Sequence, residues 1–91
     1  MYVISYDISS DRVRRKIAKE LENYGKRVQY SVFECDISKK KYKELYSKLL
    51  KLMLKEEEGG IRIYDICASC SKKLVTIGES EIKEDEEVII I

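Results

Sequence analysis

Two helical apolar repeats, set between stretches that alternate with period two, constrain the fold of this chain more than any other feature. In the first repeat, Val13, Ile17, Leu21 and Tyr24 share one face of a helix over 11–24, with Arg12, Arg14, Arg15, Lys16 and Lys19 mostly on the others. In the second, Tyr42, Leu45, Tyr46, Leu49, Leu52 and Met53 recur at steps of three and four until Glu58-Gly59-Gly60 ends the pattern. Ser9 or Ser10 can cap the first helix and Ser38 the second, because a short hydroxyl side chain satisfies the free amides of a first helical turn. Gly25 supplies the stop after the first helix.

The stretches between them read as strands. Tyr2 to Tyr6 is rich in β-formers and hands over to the first helix through Asp7-Ile8-Ser9-Ser10. From Arg27 to Cys35 the alternation places Val28, Tyr30 and Val32 on one side and Gln29, Ser31 and Phe33 on the other, as one long strand or two short ones joined by a bend. Ile61 to Ile66 alternates again, and Leu74-Val75-Thr76-Ile77 forms a further apolar run before Gly78. The order β-α-β-α-β places two helices on one face of a small sheet. With two central strands it becomes β-α-β-β-α-β, an α+β, ferredoxin-like sandwich.

With 91 residues, the chain has material for one domain, over residues 1–78. An acidic linker from Glu79 to Glu87 then leads to Val88-Ile89-Ile90-Ile91, and a bare Ile-rich strand calls for a sheet edge to pair with, on this chain or a partner. Composition narrows the chemistry: the chain has no His, Pro or Trp, so a site must be built from carboxylates, Lys/Arg, hydroxyls, Tyr or Cys. The net charge of +1 averages two unlike halves: residues 1–54 carry 13 Lys and Arg against 7 Asp and Glu, and residues 55–91 carry 5 against 10. Such asymmetry suits a basic face for a polyanion and an acidic segment for something basic. There is no apolar run of membrane-spanning length and no charged leader with an apolar stretch, so the expectation is a cytoplasmic protein with no membrane partner.

Asp7 stands where the first strand runs out and a basic helix begins, a place where a sheet can offer a metal ligand to a phosphate. The same residue type also caps turns and helices through its own backbone bonds, and the sequence leaves the two readings level. One Asp is a thin ligand set for Mg²⁺, which makes more sense if a two-fold axis brings two copies together. Arg12, Arg14, Arg15 and Lys16, with Arg27 from the next element, are candidates for phosphate contacts along a nucleic-acid backbone. Tyr6, Tyr30 and Phe33 can stack on bases or fill the core, with the core favoured. Cys67-x-x-Cys70 is one pair of ligands with no second pair, so a zinc site within one chain is incomplete; a dimer-completed site, a redox pair, and free thiols in a turn all stay open, buried or half-buried thiols being favoured.

Tyr6-Asp7-Ile8-Ser9, the Arg-rich first helix, Gly-Lys-Arg-Val-Gln-Tyr-Ser-Val-Phe-Glu over 25–34, Ile61-Arg62-Ile63-Tyr64 and the Cys67-x-x-Cys70 turn together resemble the family of small CRISPR-associated adaptation proteins. This is the nuclease-like partner of the CRISPR integrase. The resemblance spans nearly the whole chain, and Arg27 to Glu34 is its most specific segment. It implies a ferredoxin-like homodimer whose C-terminal strand extends the neighbouring subunit's sheet. It implies further that Asp7 is the catalytic acid, one copy from each subunit sharing Mg²⁺ near the two-fold axis for phosphodiester cleavage of RNA or duplex DNA. Arg14 with Arg15 or Lys16, and Arg27, match family positions tied to nucleic acid or activity, and Phe33 matches the family's aromatic. A scaffold that holds protospacer DNA with the integrase without cutting it, and a toxin-like ribonuclease of the same fold, are the alternative functions.

Overall fold

A computed structural model of the chain describes residues 1–54, 59–75 and 77. Its elements run β1 (Tyr2–Asp7), α1 (Asp11–Glu22), β2 (Lys26–Gln29), β3 (Val32–Cys35), α2 (Lys39–Met53), β4 (Gly60–Asp65) and a one-turn helix α3 (Ala68–Ser71). The sheet order is β2-β3-β1-β4, and every neighbouring pair is antiparallel. This is the ferredoxin-like sandwich expected from the β-α-β-β-α-β order.

Alternation along β1 divides the sheet into two faces. Tyr2, Ile4 and Tyr6 point into the core with Phe33 and Cys35 of β3, and there they meet Val13, Ile17, Ala18 and Leu21 of α1 and Leu45 and Leu49 of α2. Ile4, Ile17, Leu21, Phe33 and Leu45 are wholly shielded from water. Burying a side chain of this size is worth about 1.5–3 kcal/mol, so these few residues dominate the stability of the sandwich. Tyr2 stacks flat on Tyr42 of α2, ring centres 4.2 Å apart, and fixes the second helix over the first strand. Val3, Ser5 and Asp7 point to the opposite, uncovered face, with Val32 and Glu34 of β3 and Arg62 and Tyr64 of β4 registered beside them.

The helix starts follow from their caps. Ser10 is the N-cap of α1, its Oγ accepting from the Val13 amide at 3.2 Å. Ser38 does the same for α2, accepting from Lys41 at 3.1 Å. The first helix is two residues shorter than its apolar pattern: Tyr24 and Gly25 donate back to the Leu21 carbonyl at 2.9 and 3.0 Å and close the end in a tight turn. Gly25 is required there by contact, since an added Cβ would lie 2.2 Å from the Glu34 carbonyl and 2.6 Å from Cys35 Sγ.

Three local expectations change. The run from Arg27 to Cys35 takes the two-strand alternative, but its single two-sided alternation fails because a bulge between Arg27 and Gln29 and the turn at Tyr30-Ser31 each reset the pleat. Phe33 is therefore wholly buried while Gln29, assigned to the same side, is exposed. Leu74, Val75 and Ile77 are exposed and in no strand, because a strand exists by its ladder and these residues form none within the described chain. Cys67-x-x-Cys70 is a turn as expected, helical over Ala68–Ser71, but both of its thiols are exposed where buried or half-buried ones were favoured. The acidic linker and the strand over 88–91 lie outside the described residues.

Candidate functional site

Asp7 is the last residue of β1, exposed, on the uncovered face of the sheet. It takes part in none of the ion pairs or side-chain hydrogen bonds formed among the described residues. Helix capping is not its role: Ser10 holds that position. A carboxylate left free at a strand end is available to a ligand.

The α2–β4 connection keeps it open. Gly60 lies directly opposite Asp7 in the ladder and brings no side chain to that face. Gly59, with φ of 87°, presses so closely on the end of β1 that an added Cβ would stand 2.0 Å from the Asp7 carbonyl oxygen. Around the carboxylate, Ser5, Ser31, Arg62 and Tyr64 line a concavity of about 510 Å³. Arg62 sits across from Ser5 in the ladder, two positions from the Asp7–Gly60 pair. The neighbouring Tyr64 side chain, the main cause, raises the pKa of Arg62 further above its already high value, and a guanidinium is a permanent cation in any case. An acid, a fixed cation and the hydroxyls of Ser5, Ser31 and Tyr64 in one hollow are chemistry suited to a phosphate.

Ser5, Ser31, Arg62 and Tyr64 were not singled out by sequence reasoning. The signal was present in the alternation of β1 and β4: once Asp7 faces outward, so do Ser5 and, through the register, Arg62 and Tyr64. Of the basic residues that were singled out, none lines the Asp7 hollow. Arg14 is half-buried and occupied, donating to the Ile8 carbonyl at 2.9 Å and the Ser9 carbonyl at 3.4 Å and pairing with the Asp11 carboxylate. The Asp11 bond is the largest cause of its raised pKa, and the nearby Tyr30 hydroxyl adds to it.

Arg27 donates to the Tyr30 carbonyl and lies over the Phe33 ring, 5.1 Å from its centre. Tyr30 itself is 73% exposed, whereas Tyr6 and Phe33 are buried core residues, ring centres 6.4 Å apart, with no face to offer a base. Arg12, Arg15 and Lys16 are exposed on α1. Among the described residues no group of three or more His, Cys, Asp or Glu side chains could hold a metal ion, and no helix is long and apolar enough to cross a membrane. Asp7 can therefore be one protein ligand to a hard cation, with the rest coming from elsewhere.

Comparison with known proteins gives this geometry a context. Residues 1–74 match the family model described as CRISPR associated protein Cas2. The chain is 49% identical over 90 residues to CRISPR-associated endoribonuclease Cas2 1 of Chloroflexus aurantiacus, covering 99% of this chain and 97% of that protein. Among solved structures, Streptococcus pyogenes Cas2 superposes with a TM-score of 0.70 at 26% identity, covering 85% of this chain and 98% of the other. A chain of a partial Cas6-RT-Cas1–Cas2 complex superposes with a TM-score of 0.72 at 33% identity, covering 84% and 82%.

Proposed function

The chain belongs to the CRISPR-associated Cas2 family, and from that premise we propose that it is a metal-dependent endonuclease of CRISPR adaptation, acting as a homodimer that holds nucleic acid beside an integrase partner. The observation that carries the reading is Asp7: an exposed, uncommitted carboxylate at a strand end, facing a bare glycine and sharing a hollow with Arg62. The endoribonuclease name of the Chloroflexus relative supports cleavage, and the complex that sets Cas1 beside Cas2 supports the integrase partnership.

In this reading the scissile phosphate enters the hollow from the open face of the sheet. Arg62 neutralises its charge and steadies the extra negative charge that develops on its oxygens during displacement. Ser5 and Ser31 donate hydrogen bonds to phosphate oxygens. Arg14 acts at one remove, tying the Ile8 and Ser9 carbonyls and so fixing the loop that follows Asp7. Two Asp7 carboxylates related by a two-fold axis would hold Mg²⁺, and the bound ion supplies Lewis acidity to the phosphate and lowers the pKa of an attacking water. The same two carboxylates without a cation would repel each other, which favours metal binding.

A second reading, a scaffold that binds duplex DNA without cutting it, draws on Arg12, Arg15 and Lys16, which stand exposed on α1 and line no part of the Asp7 hollow, Lys16 bordering a separate one. The two readings part at Asp7→Asn. For the nuclease, cleavage of RNA or duplex DNA in the presence of Mg²⁺ falls by about a hundredfold or more, while the thermal midpoint and nucleic-acid affinity are kept. Equal cleavage by the variant and the wild type, at matched purity, overturns the catalytic role of Asp7, and salt-sensitive binding with no cleavage by either protein leaves the scaffold reading standing.

A further inference from the structure

Cys67 and Cys70 lie at the far end of the sheet from Asp7. In the β1–β4 ladder Gly60 faces Asp7 while Asp65, just before the cysteines, faces Tyr2, so the length of β1 separates them, roughly 17 Å at strand rise. Both thiols are exposed. Cys67 Sγ accepts a hydrogen bond from the Cys70 amide at 3.3 Å and stands 3.3 Å from Ser69 Oγ. The Cys70 amide aimed at this exposed sulfur favours its thiolate, the Ser69 hydroxyl is placed to donate to it as well, and the second thiol lies three residues on, in the turn that Cys67 caps.

We propose that Cys67 and Cys70 form a redox-active dithiol, with Cys67 the attacking sulfur and Cys70 the resolving one, whose substrates are low-molecular-weight disulfides. The Cys67 thiolate attacks one sulfur of RS–SR, forming a Cys67–SR mixed disulfide and expelling RS⁻, which takes a proton. Cys70 then gives up its proton, and its sulfur attacks Cys67 Sγ and expels the second RS⁻. Two protein thiols are oxidised to one disulfide, and RS–SR is reduced to two RSH.

The asymmetry between the sulfurs is built into the turn. The bonds from Ser69 first, and then from Cys70, lower the Cys67 thiol to about 7. Cys70 is raised instead, with the neighbouring Cys67 side chain as the chief cause. Cys67 is the extended N-cap residue and Cys70 stands in the single helical turn that follows, so drawing the β-carbons to the roughly 3.5–4.5 Å of a disulfide involves only this turn and its cap. Zinc is the competing use of such a pair, but two sulfurs leave it half coordinated, and no third ligand stands near among the described residues. A disulfide is complete with these two atoms.

The test treats reduced full-length wild type, Cys67→Ser and Cys70→Ser with oxidised glutathione at pH 7 and follows intact mass, with peptide mapping of the modified cysteine. Wild type should end two hydrogens lighter with no adduct retained. Cys70→Ser should stop as a glutathione adduct on Cys67, and Cys67→Ser should react about tenfold more slowly. The rate of wild-type alkylation by iodoacetamide should level off above a midpoint near 7. Cys35, buried and pushed up to about 11, should stay unmodified. First reaction at Cys70, an adduct that persists on wild type, or purified protein carrying zinc that must be chelated before either thiol reacts would each overturn the proposal. Asp7→Asn should behave as wild type here, so this result is independent of the nuclease reading.

Discussion

What separates the basic side chains of α1 is prior engagement, because their charge is the same. Arg14 already holds two loop carbonyls and Asp11, so its guanidinium is part of the scaffold behind Asp7. Arg15, one residue on, is exposed and in no ion pair among the described residues. Their alanine variants should therefore fail differently. Arg15→Ala should shift the thermal midpoint by no more than roughly 2–4 °C while lowering nucleic-acid affinity and reducing the slope of log affinity against log salt by about one, the value for a single phosphate no longer neutralised. Arg14→Ala should lower the midpoint by more than that and reduce cleavage beyond any loss of affinity, since the loop after Asp7 is freed. Scanning calorimetry and a salt titration of binding check both. Equal effects of the two variants on stability would remove the positioning role assigned to Arg14.

The connection into β4 shows how an element sets a site without supplying a functional side chain. Gly59 and Gly60 are neighbours with opposite tolerances: a Cβ at Gly59 would strike the Asp7 carbonyl at 2.0 Å and demand a positive φ, whereas one at Gly60 meets nothing within 4 Å. Gly59→Ala should cost at least about 1–2 kcal/mol, read as a fall in the urea midpoint, and Gly60→Ala should leave stability unchanged or raise it by about 0.4–1 kcal/mol. The same pair marks the limit of what the sequence disclosed. Periodicity gave both helices, the succession of strands and helices, and the core residues Ile17, Leu21, Leu45 and Leu49, because burial imprints itself on a repeat. Gly59-Gly60 read only as a helix end, since a glycine's close approach depends on which strand lies against it. The bulge before Gln29 was likewise invisible, being one residue of slip in an otherwise regular alternation. Arg62 and Tyr64 joined Asp7 only through the β1–β4 register, a long-range fact that local pattern does not carry.

At the scale of the whole molecule, the number of acids decides how the site must be assembled. The Asp7 hollow holds one carboxylate, and no cluster of ligands elsewhere among the described residues could replace a second. If two protomers share one metal site, activity belongs to the pair, and a single inert partner disables it. Wild type and Asp7→Asn subunits that exchange freely and pair at random give a wild-type homodimer fraction equal to the square of the wild-type share, so an equal mixture should keep about a quarter of the activity. Independent sites, one per protomer, would keep about half. The measurement is a cleavage assay on mixtures equilibrated at fixed total protein, with subunit exchange verified by native mass spectrometry. Dilution offers the matching control: activity per protomer should fall as the concentration passes below the dimer dissociation constant, and added Mg²⁺ should move that point lower, because an ion bound between two chains stabilises their association by mass action. A linear dependence on the wild-type share, with no loss on dilution, would place the whole reaction on one chain and leave Arg62 and the hydroxyls of Ser5, Ser31 and Tyr64 as the polar partners of Asp7 within the hollow.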